Sequence, residues 1–281
     1  MAKLLEGKLV TAAMKEKQTL QVQELATKGI TPTLGIIRVG DRPDDISYEK
    51  GATKRCEGVG VAVKVFALPG DCPQEQLLEV IGKVNQDASI HGVLLFRPLP
   101  KHIDDETIRN ALAPQKDIDG ITDLSLAGVF TGKDKGFAPC TAQACIEILD
   151  HFGYELKGKR VAVVGRSLVV GKPLALMLID RHATITVCHT RTVDMPAICR
   201  EADIIVAAAG RAGVVGSEFF APGQIVIDVG INFTDEGKMC GDADFDAAMP
   251  IVEAITPVPG GVGTVTTSVL VGNVITAALK A

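Results

Sequence analysis

The stretch Val161–Pro173, VAVVGRSLVVGKP, decides the fold. Val161, Ala162, Val163 and Val164 make the short unbroken apolar run of a parallel strand covered on both faces. Gly165 then lets the backbone turn sharply beneath a ligand, and a helix is expected to start just after Gly171. Pro173 suits a first helical turn, where a missing amide hydrogen costs nothing. The free amides and the dipole of such a terminus attract a pyrophosphate. The spacing G-x-S-x-x-x-G-x-P departs from the common G-x-G-x-x-G, so the stretch alone fits a purely structural strand–turn–helix as well as a nucleotide site.

A second apolar run, Ala183 to Cys188, has the length and β-branched content of the next parallel strand and ends in His189-Thr190-Arg191-Thr192. A cofactor with a free ribose hydroxyl calls for Asp or Glu about 20 residues beyond the glycines, whereas a 2′-phosphate calls for cations and hydroxyls. No carboxylate stands there, and Arg166, Thr190 and Arg191 are available to hold a phosphate, so NADP is expected rather than NAD. Ordinary solvated arginines are the alternative.

The same alternation fills the rest of the chain. Strands are expected at Thr33–Val39, Val61–Ala67 and Gly92–Phe96, with helices over about Asp45–Val59, Gln74–Asp87 and Asp104–Leu112. The second half supplies Val161–Val164, Ala183–Cys188, Ile204–Ala207 and Ile225–Val229 as four buried strands, and Thr264–Lys280 as a last helix returning to the first half. This is an α/β pattern in two domains: 1–120 with 264–281, a loop-rich linker 121–138 around TGKDKG, and 139–263 as the nucleotide-binding part. A net charge of −5 with 4% aromatic residues in 281 argues against a nucleic-acid surface. No apolar run is read as reaching membrane-spanning length, and the N-terminus lacks the order of a signal peptide, so a cytoplasmic protein without membrane contact is expected. Seven cysteines without paired C-x-x-C spacing suit a reducing compartment, and five scattered histidines offer no metal site.

Seven blocks then follow in order: VGDRPDDISY (39–48), PLPKHI (98–103), PQKDIDG (114–120), FAPCT (137–141), VVGRSLVVGKP (163–173), ATITVCHTRT (183–192) and TPVPGGVGTVT (256–266). By these the chain resembles, over nearly its whole length, the bifunctional methylenetetrahydrofolate dehydrogenase/cyclohydrolase family. The resemblance implies a catalytic domain made from the N-terminal half plus the last helix, a Rossmann-type NADP domain between them, a homodimer, and tetrahydrofolate derivatives held in the cleft between the domains. It implies Gly165, Arg166, Ser167, Gly171, Pro173, His189, Thr190, Arg191, Gly210 and Ile231 as cofactor-binding residues. Tyr48, Asp119, Pro259, Gly260 and Gly261 are implied against the folate.

In that family a tyrosine, a lysine four residues later, a glutamine before PLP and the second aspartate of KDIDG line the folate pocket. Here Tyr48 and Asp119 match, but the lysine position is Ala52 and the glutamine position is Phe96. Residues four apart on a helix share a face, so Lys50 and Lys54 are turned away from Tyr48. Dehydrogenation needs mainly alignment, because a substrate nitrogen pushes the hydride onto a nicotinamide that carries the chemistry. Hydrolysis of the methenyl product needs a proton-handling group, so the cyclohydrolase step is expected to be weak or absent. Three alternatives stay open: both activities retained through Lys50, Lys54 or Arg97, a folate- and NADP-binding protein without turnover, and a different Rossmann oxidoreductase that has drifted to another substrate. Bland readings also stand for Tyr48 as a helix residue with a wet hydroxyl, Asp119 as a turn former and Phe96 as the end of a core strand. Thr264 replaces a family proline and could cap the last helix, Asp228 reads as a scaffold residue, and Cys140 as a packed thiol.

Overall fold

Apolar runs and amphipathic stretches alternate along the chain as strands and helices in the computed structural model, which describes residues 1–133 and 135–281; Asp134 of the TGKDKG stretch lies outside the described residues. In chain order the elements are β1 (Lys3–Leu4), α1 (Gly7–Thr27), β2 (Thr33–Val39), α2 (Pro43–Glu57), β3 (Ala62–Leu68), α3 (Gln74–Gln86), β4 (Gly92–Leu95), α4 (Asp105–Ala111), α5 (Asp123–Thr131) and α6 (Cys140–His151). They continue with β5 (Arg160–Val164), α7 (Gly171–Asp180), β6 (Thr184–Cys188), α8 (Met195–Arg200), β7 (Ile204–Ala207) and β8 (Ile225–Asp228). The last are β9 (Asn232–Phe233), β10 (Met239–Cys240), α9 (Phe245–Ala248), β11 (Ala254–Ile255) and α10 (Val262–Lys280). Two compact units result: Ala13–Cys140 with Thr267–Ala281, and Met1–Ala12 with Thr141–Thr266.

The first unit is built on a three-stranded parallel sheet in the order β3-β2-β4. β2, TLGIIRV, is buried at every position, as a continuous apolar run requires of a central strand. β3 is an edge strand with most of its side chains exposed. From β2 one crossover leads to β3 on one side, and the next leads past β2 to β4 on the other. The carboxyl end of β2 is therefore a switch point, where open parallel sheets leave a crevice for a ligand. Ile37, Leu77, Ile81, Ile90, Val93 and Ile108 fill the core beneath it.

The second unit holds a six-stranded parallel sheet in the order β1-β11-β8-β7-β5-β6. β5 stands between β6 and β7, so it too ends at a switch point. Five features differ from the sequence reading. β6 is not buried: it is the edge of the sheet, and only Cys188 in it is inaccessible, because nothing covers its outer side chains. The edge strand β1 was not expected and draws residues 1–12 into this unit, away from the rest of 1–120. Part of the expected linker 121–138 is helix α5, capped by Thr122, whose hydroxyl accepts from the Ser125 amide at 3.1 Å. Finally, α10 is long and apolar enough to cross a membrane, contrary to the reading that no run reaches that length. It packs as a core helix instead, with Val269, Leu270, Val271, Val274 and Ile275 inaccessible. It begins at Val262, so Thr264 lies inside its first turn and does not cap it.

Candidate active site

In the three-stranded unit, the candidate pterin residues gather at the switch point. α2 carries Tyr48 and is tied to the sheet by the buried Arg38 of β2, whose Nε donates to Glu49 at 3.0 Å. Phe96 follows the last residue of β4, and its ring meets Tyr48 edge to face with centroids 5.7 Å apart. Tyr48 keeps 39% of its surface exposed, yet its hydroxyl end is desolvated. Burial first, and then the charge of Asp119, hold the phenol far above its ordinary range, while a hydrogen bond with Thr267 works the other way. Tyr48 thus stays protonated and can donate a hydrogen bond but not serve as a base. Phe96 is both the end of a core strand and a wall against Tyr48.

Ala52 lies one turn beyond Tyr48 and is 1% exposed. Lys50 and Lys54 are exposed on the other faces of α2. The cation whose charge reaches Asp119 is Arg97, and its guanidinium is engaged with Asp105 through Nε at 2.6 Å and through a second, shorter bond. A guanidinium keeps its protons at any physiological pH, so Arg97 supplies field and no proton.

The two aspartates of KDIDG have unlike surroundings. Asp117 is wholly buried and accepts from the Ile121 amide at 3.0 Å, the Thr122 amide at 2.8 Å and the Ser125 hydroxyl at 2.6 Å, which fixes the entry to α5. Asp119 is drawn toward the neutral form, its acid constant raised to about 6, chiefly by burial and further by Asp117; bonds from Cys140 oppose the shift. Gly120 follows at a φ of +67°, and a Cβ there would lie 2.5 Å from the Phe137 carbonyl oxygen and the Pro139 nitrogen, so this turn closes tightly on the FAPCT segment.

The six-stranded unit brings together the glycine turn and the residues expected to hold a nucleotide. Gly165 has a φ of +131°, and a Cβ on it would sit 2.0 Å from the Ala208 carbonyl oxygen. A Cβ on Gly171 would lie 2.1 Å from the Gly165 oxygen, so only glycines let the turn fold this tightly around the start of α7. The Ser167 hydroxyl accepts from the Val170 amide at 3.1 Å, while Pro173 is buried in the first turn of α7. Beyond β6, the His189 amide donates to the Thr192 hydroxyl at 2.9 Å and the Arg191 amide donates to His189 Nδ1 at 3.1 Å. This folds the loop into a turn with Thr190 and Arg191 exposed; Arg166 is exposed as well. A cradle free of side chains, helix amides and exposed arginines fit the pyrophosphate and 2′-phosphate of NADP.

Sequence reasoning missed Asp242. Its buried carboxylate accepts from the amides of Ala209, Gly210 and Arg211 at 2.6, 2.8 and 2.9 Å and from Asn232 Nδ2 at 2.8 Å, pinning the loop after β7. Asp228 accepts from the amides of Gly230, Asp242 and Ala243, with its acid constant raised to about 6 by burial above all. It is scaffold, as read. No local pattern in CGDAD marks Asp242, because the three amides it holds lie about thirty positions away. Ile231 is exposed, with its side chain 3.5 Å from where a Gly263 Cβ would stand. Pro259, Gly260 and Gly261 belong to this unit as well. Gly7 packs on them: its amide donates to the Gly260 carbonyl at 2.8 Å, and a Cβ on Gly7 would come within 2.4 Å of the Gly261 oxygen.

Comparison with known proteins agrees across the chain. The profile of the tetrahydrofolate dehydrogenase/cyclohydrolase catalytic domain matches residues 5–119, and that of the NAD(P)-binding domain of the same family matches residues 139–281. The bifunctional protein FolD of Carboxydothermus hydrogenoformans is 51% identical over 272 residues, 96% of this chain and 95% of that protein. The crystal structure of the bifunctional enzyme FolD, methylenetetrahydrofolate dehydrogenase/cyclohydrolase, from Campylobacter jejuni superposes with a TM-score of 0.97 at 38% identity, covering 100% of this chain and 99% of that one. The Trypanosoma brucei methylenetetrahydrofolate dehydrogenase-cyclohydrolase, solved with NADP cofactor and an inhibitor, superposes with a TM-score of 0.92 at 34% identity, over 99% and 98% of the two chains.

Proposed function

This chain belongs to the tetrahydrofolate dehydrogenase/cyclohydrolase family, and we propose that it works as an NADP-dependent 5,10-methylenetetrahydrofolate dehydrogenase whose cyclohydrolase step is weak or absent. The observation that carries this reading is the buried Ala52 beside Tyr48, with Lys50 and Lys54 exposed elsewhere on the helix.

Dehydrogenation asks the chain to bind, orient and exclude water. Asp119, in its ionised form, accepts hydrogen bonds from pterin N–H groups, and Tyr48 frames the ring while Phe96 keeps solvent from it. The glycine cradle and the α7 amides take the pyrophosphate, Arg166, Thr190 and Arg191 the 2′-phosphate, and Gly210 and Ile231 the nicotinamide end. Pro259, Gly260 and Gly261 offer main chain to the substrate. Bound NADP supplies the hydride acceptor, and no protein acid or base is required for that step.

Hydrolysis of the methenyl product is more demanding. A water must lose a proton as it attacks the bridging carbon, and a pterin nitrogen must gain one as it leaves. Tyr48 is locked in its protonated form and Arg97 cannot release a proton, so neither replaces a lysine of lowered pKa. One observation favours a second reading, with both activities kept: Asp119 titrates at about 6, near the pH at which a general base is effective. We further assign the protein to the cytoplasm, in keeping with seven free cysteines, and to a homodimer, in keeping with the family.

Purified protein is given methylenetetrahydrofolate with NADP, and separately methenyltetrahydrofolate alone, and absorbance is followed. NADP reduction without accelerated methenyl hydrolysis is expected. Acceleration of both overturns the single-activity reading, and neither, with both ligands bound, makes this a binding protein without turnover.

A further inference from the structure

The main chain that carries Asp119 is gripped by two side chains from outside the KDIDG motif. Cys140, the first residue of α6, is placed to donate its thiol hydrogen to the Ile118 carbonyl oxygen at 3.1 Å. Asn273, midway along α10, donates through Nδ2 to that same carbonyl at 2.8 Å and reaches the Cys140 Sγ at 3.6 Å. Ile118 and Cys140 are wholly buried. Ile118 immediately precedes Asp119, so whatever fixes its carbonyl also fixes where the next side chain leaves the backbone.

A thiol has one hydrogen and two acceptors within reach here, the Ile118 carbonyl and the Asp119 carboxylate. The Asn273 amide already serves the carbonyl and does so with the stronger donor. We propose that Asn273 is a positioning residue of the folate site: by serving the Ile118 carbonyl it frees the Cys140 S–H to turn to the Asp119 carboxylate and hold it aimed at the pterin. The inference rests on Asp119 being the pterin-binding group. The other groups that act on Asp119 are the Cys140 backbone amide, which donates to it and is kept in every variant, Asp117, whose charge disfavours ionisation, and Arg97, whose charge favours it; Tyr48 of α2 is electrostatically coupled to it as well. A donor lost from this set leaves burial and Asp117 less opposed, so the carboxyl takes up its proton at higher pH.

The test is the pH profile of dehydrogenase kcat/KM for the full chain and its variants Asn273→Ala, Cys140→Ala, Cys140→Ser and Asp119→Asn. Asn273→Ala and Cys140→Ala are expected to move the acid limb upward by roughly half a unit to one unit, mostly through KM, because one hydrogen bond to the charged form is lost. Cys140→Ser keeps a donor and is expected to leave the limb at or below its wild-type position. If Asn273→Ala does not fold, Asn273→Leu, of similar size but without the amide, is read in the same way, and NADP affinity reports that each variant is intact. An acid limb that stays at its wild-type pH in the Asn273 and Cys140→Ala variants, while Asp119→Asn abolishes it, overturns the positioning role alone. A limb that survives Asp119→Asn overturns the assignment of Asp119 itself.

Discussion

Asp117 and Asp119 stand two positions apart and do opposite work because their surroundings differ. The first is buried and accepts three hydrogen bonds that hold a loop; the second is half-buried, and desolvation of its carboxyl raises its acid constant to about 6. A folded-state value above the ordinary one means that the folded protein binds more protons than the unfolded chain in between. The stability linked to Asp119 is therefore fully present below about pH 4 and lost as pH rises toward 6. Asp119→Asn removes that dependence, so its melting temperature relative to wild type should rise between pH 4.5 and 7.5, approximate settings that straddle the transition; Asp228 titrates in both proteins and cancels. A flat difference would show that Asp119 ionises normally. Ala52 offers a second check. It is 1% exposed with Phe96 against the neighbouring Tyr48, so Ala52→Lys alone should overpack the site and cost about 1–3 kcal/mol in denaturant unfolding. Ala52→Lys with Phe96→Gln makes room, and should raise methenyl hydrolysis above that of either single variant. Tyr48, Asp119, Ala52 and Phe96 were legible through spacing and family likeness. The roles of Asp117, Asp242, Asn273 and Arg38 were not, since each is defined by partners that only folding brings near.

At the scale of the element, the glycine turn shows why its spacing differs from the commoner fingerprint. The chain between Gly165 and Gly171 folds back on itself until one backbone lies against the other, and both positions must lack a Cβ. Gly171→Ala should therefore weaken NADPH binding at least about tenfold in a fluorescence titration, with about 1–3 kcal/mol lost in stability, since the methyl would press on main chain. Unchanged affinity would mean the turn does not contact the cofactor. The strands β2 and β7 coincide with their sequence reading, and β5 extends one residue further, because a fully buried strand writes its burial on every side chain. β6 carries nearly the same composition but sits at an edge. Apolar content reports what a segment can bury, not whether a neighbour arrives to cover it.

At the scale of the whole molecule, two parallel sheets each end at a switch point, and the chain passes between the units at Ala12, Cys140 and Thr266. The first passage has a testable consequence. Ala2, Lys3 and Leu5 donate to the carbonyls of Met249, Glu253 and Ile255 at 2.9, 2.8 and 2.9 Å, and Leu5 is wholly buried. Deleting residues 1–6 should destabilise the NADP-binding unit by about 2–5 kcal/mol, the range for removing one large buried side chain, and speed hydrogen exchange in β11. Exchange in β11 as slow as in the intact chain would show that β1 adds nothing. By itself the sequence determined the α/β class, the glycine turn and the long helices, and it named the residues proposed to meet folate and NADP. All of these are written in local periodicity and in short motifs, which depend on neighbours a few positions apart. The tertiary structure alone decided that β1 completes a sheet more than a hundred residues downstream, that β6 is an edge, and that Asn273 and Cys140 converge on the residue before Asp119. Two-residue strands and single long-range hydrogen bonds leave no periodic trace, because their energy comes from pairing across the fold.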